Sequence, residues 1–495
     1  MPDHIKGLIV ILVLATVVFS FARKPALTFM EAADFTRRRN LWFALTISAF
    51  LSPNFWVYSF IATILLIFTN RKESNPPALF VFLLFLLPMD AAQIPGMGLF
   101  SALFKLNHAR ILELIILLPA FFFVRSKSNT PRFGRLTTDK LLAIFLLLTA
   151  ILYLRDLTTT DALRKSFYLF IDIFLPYAVI SRSLKFMHDY REMLMSFTLS
   201  IMVLALIANF EFYKHWLLYQ PLIDTLQLGD GWSEIFIREG MLRVVVSAGY
   251  PIVLGYLMVV GMGFYLFIQH SIDNKLIRRL GLILLITGLL VPLSRGPWLG
   301  AAVLLFVFIA TGRYANKRLI SLALGLILTL PLVSTIPGSE KYINLLPFIG
   351  STEKENVDYR ERLITNSMIV IQRNPWFGSN NFLETPEMEA MRQGQGIIDV
   401  VNSYLAIALE KGLVGLGVFV AFFIQLLIVI FRAMRSIPDW NSEDYLLGRV
   451  LFSTLIAILV IIFTASSISF IPIVYWSIAG MGAAYAQMIG KAKQD

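Results

Sequence analysis

The chain has 495 residues, 57% of them hydrophobic and only 15% charged, with a mean hydropathy of +0.72. Apolar runs such as Ile9–Phe21, Leu141–Leu154, Ile201–Phe210, Val244–Ile268 and Val450–Phe463 recur along most of it, which excludes a soluble globular domain and points to an all-α, polytopic transmembrane helical bundle. The net charge of +11 sits mostly in short loops between those runs and gives no reason to expect nucleic acid, and the absence of cysteine excludes disulfides, thiolate metal sites and a cysteine nucleophile.

Lys6 followed by Leu8–Phe21 imitates a secretory signal, but Arg23-Lys24 directly after Ser20-Phe-Ala22 argues for an uncleaved first span. Further spans are predicted near 41–69, 78–95, 109–124, 139–154, 166–181, 192–212, 244–269, 279–293, 297–311, 318–335, 402–431, 446–463 and 468–488. The overlong 41–69 stretch splits at Ser52-Pro53-Asn54 into a hairpin of two short helices. The total is about 12–15 spans at ~20 residues each.

Loops 125–138, 182–191, 270–279, 312–318 and 432–449 each hold several basic residues and fall on one side. The positive-inside rule makes them cytoplasmic, together with the C-terminus, and leaves 213–243 and 336–401 outside. Three regions follow: N-terminal helices over 1–190, a core over 191–431 that includes the outer loop 336–401, and C-terminal helices over 432–495. The outside loops are where the chemistry is expected.

Three segments bring arginine to the outer half of the bilayer. Ile237-Arg-Glu-Gly-Met-Leu-Arg243 carries Arg238 and Arg243 to the edge of a span that Gly249 and Pro251 then disturb. Leu290-Val-Pro-Leu-Ser-Arg-Gly-Pro-Trp-Leu299 places Arg295 between two apolar runs, where an arginine costs about 2.5–3.5 kcal/mol and generally faces an anion or a polar cavity. Asp358–Arg373 reads as an amphipathic helix with an apolar face of Leu363, Ile364, Met368 and Ile371 and with Arg360 and Arg362 near its start. A guanidinium donates two parallel hydrogen bonds and stays charged at every relevant pH, so the set suits a phosphate or diphosphate. Trp216, Trp232, Trp298 and Trp376 read as interfacial anchors.

The order of these segments resembles the O-antigen ligase and polymerase family of bacterial envelopes. It runs from Arg238…Arg243…Gly249-Tyr-Pro-Ile-Val-Leu-Gly255 to Leu293-Ser-Arg-Gly-Pro-Trp-Leu-Gly300 and Tyr359-Arg-Glu-Arg-Leu363. It continues with Asn374-Pro-Trp-Phe-Gly378, Asn402-Ser-Tyr-Leu405 and Glu410-Lys-Gly-Leu-Val-Gly415. The resemblance implies a bacterial inner-membrane location with the active site facing the periplasm, and transfer of a glycan from an undecaprenyl-diphosphate carrier to an acceptor sugar hydroxyl at that face. It makes Arg243 and Arg295 diphosphate-binding residues, with Arg360 or Arg362 as a third contact and Arg238 beside them.

Val401 stands where many members have a histidine before the Asn402 motif, and Tyr250 stands where many have a histidine before Pro251. The remaining histidines are poor substitutes, His215 being an interfacial residue beside Trp216. Asp399 is the best local carboxylate for the base, with Glu361 and Glu410 behind it. The missing histidine tilts the expectation to polymerisation of exopolysaccharide or O-antigen repeat units, over ligation to lipid A–core or a protein. A lipid-linked oligosaccharide flippase or polysaccharide transporter is the rival of another class. Neither cofactor nor metal is expected. The partners are the carrier-linked glycan, an acceptor glycan or lipid A–core, the bilayer, and flippase and chain-length regulator proteins.

Overall fold

The helix Met187–Lys214 is the ruler of the molecule. Its 28 residues span roughly 42 Å at about 1.5 Å per residue, and its two ends define two faces, here called the Asp189 end and the Glu211 end. The computed structural model describes residues 1–95, 102–127, 130–228, 236–238, 240–334, 354–393 and 396–491.

Helices alternate between the two ends. At the Asp189 end, Arg38 of helix Ala32–Leu51 pairs with both Glu73 and Glu192, and Asn75 Nδ2 donates to the Asp189 carbonyl at 3.1 Å. Arg182 pairs with Asp139, and Arg191 with Glu443. Tyr445 Oη donates to the Thr311 carbonyl at 3.0 Å, and Tyr485 Oη to the Asp444 carbonyl at 3.0 Å. Arg71, Lys127 and Lys185 lie at this same end. At the Glu211 end lie the arginine-bearing segments 236–250 and 290–296, the N-terminus of helix Ser403–Arg435, and the turn after helix Glu443–Phe463.

Among the described residues, six helices are long and apolar enough to cross a membrane: Asp3–Ala26, Thr137–Asp156, Met187–Lys214, the segment Pro251–Ser271, Ser403–Arg435 and Glu443–Phe463. Phe55–Asn70 and Arg295–Ala310 are shorter apolar helices. Other expected spans fall on helices that are shorter or less apolar, or that carry π turns, as at Glu113–Leu117 and Leu169–Phe174. The most apolar window of Pro251–Ser271 is 89% buried, against 33% for Ser403–Arg435, so the former stands in the protein interior and the latter at the rim. Ile471–Lys491 is buried along most of its length, packing against Leu175–Ser183 and Ser403–Arg435.

Two expected spans are corrected. In place of a helix over 78–95, Pro76–Leu83 forms eight helical residues, and Ala92–Pro95 pairs antiparallel with Ala102–Leu106, matching Ala92 to Leu106. Met89-Asp90 and Gln93 interrupt the apolar run there, and a strand pair satisfies backbone that lacks a helical partner. The 244–269 span begins only at Pro251, whose fixed φ suits the first helical position. Before it come the short antiparallel pair Ile237–Arg238/Met241–Leu242 and a single 3-10 turn, Val246–Ala248. The 41–69 stretch does split, into Ala32–Leu51 and Phe55–Asn70, with Asn54 Oδ1 capping the second helix through Trp56 N and Val57 N at 3.0 Å each.

Candidate functional site

Helix Lys275–Leu290 ends in a turn, and the chain restarts as Arg295–Ala310. A terminating helix leaves carbonyls without a partner, and two arginines from another segment supply donors to this turn. Arg243 donates from Nε to the Pro292 carbonyl at 3.2 Å and from Nη2 to Ser294 Oγ at 3.0 Å, and Arg238 Nη1 donates to the Leu293 carbonyl. Leu293 is buried at φ 51, a left-handed conformation that costs a non-glycine residue about 1–3 kcal/mol and tends to cluster at functional sites.

The segment that carries Arg243 is itself clamped. Glu211 is fully buried, and its carboxylate accepts from Leu218 N at 2.9 Å and Val246 N at 3.1 Å. Val246 also stands in the left-handed region, at φ 49, so a buried carboxyl spends its acceptor capacity on holding an otherwise unfavourable backbone. Ser247 Oγ donates to the Phe85 carbonyl, and Ser469 Oγ donates to the Ala248 carbonyl at 3.3 Å.

Arg295 and Gly296 open the restarted helix, and Ser294 gives it no side-chain cap. Amides at such a helix start, with the positive end of the dipole behind them, favour an anion. Gly296 lies so close to Thr464 that a Cβ there would stand 2.4 Å from Thr464 Oγ1. Arg360 Nη2 donates to the Thr464 carbonyl at 3.4 Å. Thr464 therefore joins the Arg295 turn to the helix Lys354–Arg373. The structure groups Arg238, Arg243, Arg295 and Arg360 around residues 290–296 and 464. Arg362, two residues beyond Arg360, is about 200° further round the helix at 3.6 residues per turn and is exposed. It does not share the Arg360 face.

The helix Lys354–Arg373 covers the expected 358–373. Leu363, Val370 and Ile371 are buried with Phe382, Met388, Met391, Ala408 and Leu409. Ile364 and Met368, expected on the same face, are about half exposed, as is Ile369. The helix thus has two apolar stripes, one on the protein and one turned outward.

Asp399 is half-buried. Its Oδ1 accepts from Ser466 Oγ at 2.6 Å, and its carbonyl accepts from Tyr359 Oη at 3.0 Å. Ser466 is two residues from Thr464, so Asp399 and Arg360 border the same turn. Asn402 Oδ1 caps helix Ser403–Arg435 through Tyr404 N at 3.0 Å and Leu405 N at 3.1 Å, and Ser403 Oγ donates to the Ala465 carbonyl at 2.8 Å. Of the other candidate bases, Glu410 pairs with Lys411, and Glu361 is exposed on the helix Lys354–Arg373. His215, at φ 50, is the left-handed residue that ends helix Met187–Lys214. Trp298 Nε1 donates to the Leu289 carbonyl at 3.0 Å, Trp376 is exposed, and Trp232 and Glu353 lie outside the described residues.

Glu211 and the hydroxyls Thr464, Ser466 and Ser469 did not stand out in the sequence. Their signal was present: Phe463-Thr-Ala-Ser-Ser-Ile-Ser-Phe470 sets four hydroxyls between two apolar runs. Among the described residues, the carboxylates close enough to share a cation are Asp34, Glu73 and Glu192. Arg37 and Arg38 pair with them at the Asp189 end, away from the arginine group.

Residues 280–420 match the family model described as O-antigen ligase. No curated protein matches the chain. The matched stretch holds Arg295, Arg360, Asp399 and the Asn402 cap, in a chain whose described residues include six helices long and apolar enough to cross a membrane. That supports membrane glycosyl transfer of the O-antigen ligase or polymerase type. Over residues 280–420 this membrane protein is similar to the O-antigen ligase family.

Proposed function

We propose that the protein transfers a glycan from an undecaprenyl-diphosphate carrier to an acceptor sugar hydroxyl at the periplasmic face of the inner membrane, extending an exopolysaccharide or O-antigen chain. The observation that carries this reading is the grouping of Arg238, Arg243, Arg295 and Arg360, from three distant segments, at the start of helix Arg295–Ala310.

In the proposed reaction the acceptor oxygen attacks the anomeric carbon of the carrier-linked sugar. The bond from that carbon to the diphosphate oxygen breaks, and its electron pair leaves with the diphosphate. Charge builds on the leaving group, where fixed cations and helix-start amides stabilise it more in the transition state than in the ground state. Asp399 takes the acceptor proton, with Ser466 orienting its carboxylate through the 2.6 Å hydrogen bond. Arginines at the diphosphate supply the positive charge that a divalent ion would bring, so the reading is metal-independent.

Ligation is the second reading, favoured by the description of the matched family as O-antigen ligase. In that case the same donor half serves and the acceptor is lipid A–core. The test reconstitutes purified protein with a lipid-linked repeat unit, with and without lipid A–core. Longer carrier-linked glycan supports polymerisation, and glycan on lipid A–core supports ligation. Movement of intact carrier-linked glycan across the bilayer without any new glycosidic bond would instead identify a flippase.

A further inference from the structure

A second charged cavity lies at the Asp189 end, outside the proposed transfer site. It encloses about 480 Å³ between the end of helix Phe55–Asn70, the helix Leu118–Ser126 and the junction between Leu175–Ser183 and Met187–Lys214. Asp189 and Glu211 are 22 residues apart on one helix, roughly 33 Å at about 1.5 Å per residue, so the cavity and the Glu211-clamped arginine segment are a bilayer core apart.

Four cations line it, Arg71, Lys127, Arg182 and Lys185, against two carboxylates, Glu73 and Asp189. The Glu73 carboxylate is already paired with Arg37 and Arg38, and Asp189 accepts from Lys185 N and Phe186 N at 2.9 Å each. Arg182 is 5% exposed and pairs with Asp139 through Nη2, while its buried Nε makes no hydrogen bond. Partial burial, then the neighbouring ammonium groups of Lys127 and Lys491, lower the pKa of Lys185. Lys127 and Lys185 are thus held close enough to repel one another, an arrangement that an anion relieves.

The rim of the cavity decides the kind of anion. Phe123 and Phe186, which line it, are each more than 60% exposed, as is Phe68, one turn before Arg71. Lys127 Nζ sits 4.2 Å from the centre of the Phe123 ring. Exposed phenylalanine beside lysine at the end of membrane helices marks the boundary between hydrocarbon and headgroups. A free phosphate would use the cations but leave the aromatic rim bare.

We propose that this cavity binds the phosphate headgroup of an anionic glycerophospholipid in the leaflet opposite the transfer site, with the acyl chains lying along Phe123 and Phe186. The site is independent of the proposed transferase chemistry, and its test needs no activity assay.

Purified full-length protein is placed in phosphatidylcholine nanodiscs with or without phosphatidylglycerol, and retained lipid is read by native mass spectrometry after release. The double variant Lys127→Gln/Lys185→Gln changes two side chains at the cavity mouth and leaves the Arg182–Asp139 pair intact. A control variant, Lys275→Gln/Lys317→Gln, removes two exposed charges elsewhere on the same end. Two lysines near an anionic headgroup predict a loss of phosphatidylglycerol affinity of roughly 30-fold in the cavity variant and little loss in the control. Equal retention in the cavity variant and the native protein would overturn the proposal, as would an equal loss in the control. Thermal stabilisation by phosphatidylglycerol that inorganic phosphate reproduces in full would overturn the lipid assignment as well.

Discussion

Arg295 opens the helix whose Gly296 packs on Thr464, and Arg360 donates to the Thr464 carbonyl; their chemistry sets the sharpest expectations. Replacing Arg295 with Lys keeps the charge but loses the planar fork, and a lost transition-state donor costs about 10²–10³-fold in kcat. Carrier-linked glycan transfer by Arg295→Lys at native rate would remove diphosphate binding from that residue. Arg360→Ala should be far more damaging than Arg362→Ala, because only Arg360 reaches the Thr464 carbonyl; the reverse order in parallel assays would reassign the third cation. Asp399→Asn keeps an acceptor for Ser466 but no longer takes a proton, and is expected to lower kcat by about 10²–10⁴-fold with little change in KM. The arginines were legible in the sequence because each is a costly residue beside an apolar run. Glu211 was not: its meaning depends on Leu218 and Val246 arriving at its carboxylate, a long-range packing event with no local periodic signature. Ser466 was missed for the same reason, since only the fold brings it to Asp399, 67 residues away.

At the scale of elements, the two motifs Asn374-Pro-Trp-Phe-Gly378 and Glu410-Lys-Gly-Leu-Val-Gly415 turn out to be two halves of one joint. Helix Ser403–Arg435 is broken at Gly412, with φ 67 and ψ −173. The break frees backbone groups, and the Pro375–Gly378 turn meets them. Leu413 N donates to the Pro375 carbonyl at 2.7 Å, Val414 N to the Trp376 carbonyl at 3.1 Å, and Ser379 N to the Leu409 carbonyl at 2.9 Å. Helix Thr137–Asp156 locks the turn from outside, with Asn380 N donating to Asp156 Oδ2 at 2.8 Å. These motif residues therefore build the platform under the arginine helix. A Cβ at Gly412 would stand 2.3 Å from the Trp376 carbonyl oxygen at a φ that L side chains avoid. Gly412→Ala should then destabilise the protein by at least about 2 kcal/mol, read as a lower unfolding temperature in detergent; an unchanged temperature would mean that the joint yields. The sequence marked these residues as a pair of motifs but not as partners, because a helix break and a turn look alike as isolated glycines. The helix Lys354–Arg373 was legible from its 3.6-residue period, yet which of its two apolar stripes meets the protein depended on Phe382, Met388 and Met391 folding beneath it.

Across the whole molecule, the alternation of helices between the Asp189 and Glu211 ends follows from hydrophobic runs and basic loops that the sequence displays openly. The strand pair Ala92–Pro95/Ala102–Leu106 was hidden, because its apolar residues continue a run that reads equally well as a span. Metal dependence is a property of the whole reaction: with four arginines grouped around residues 290–296 and Thr464, transfer is expected to survive excess chelator in purified protein. Loss of activity to chelator with recovery in magnesium or manganese would overturn that reading. Sidedness is open to a direct experiment, because the native chain contains no cysteine and each introduced thiol reports alone. Lys317 is exposed in the first turn of helix Ala315–Ser334 and shares the end that holds Thr311 and Tyr445. Leu383 is 39% exposed on the opposite end, beyond the Pro375–Gly378 joint. If the arginine group faces the periplasm, a membrane-impermeant maleimide labels Leu383→Cys in cells with a permeabilised outer membrane. Lys317→Cys should be labelled only after the inner membrane is broken. The opposite pattern would turn the protein over, placing the arginines on the cytoplasmic side, where a periplasmic donor cannot reach them; labelling of both thiols in intact inner membranes would mean that the two ends are not separated by a bilayer.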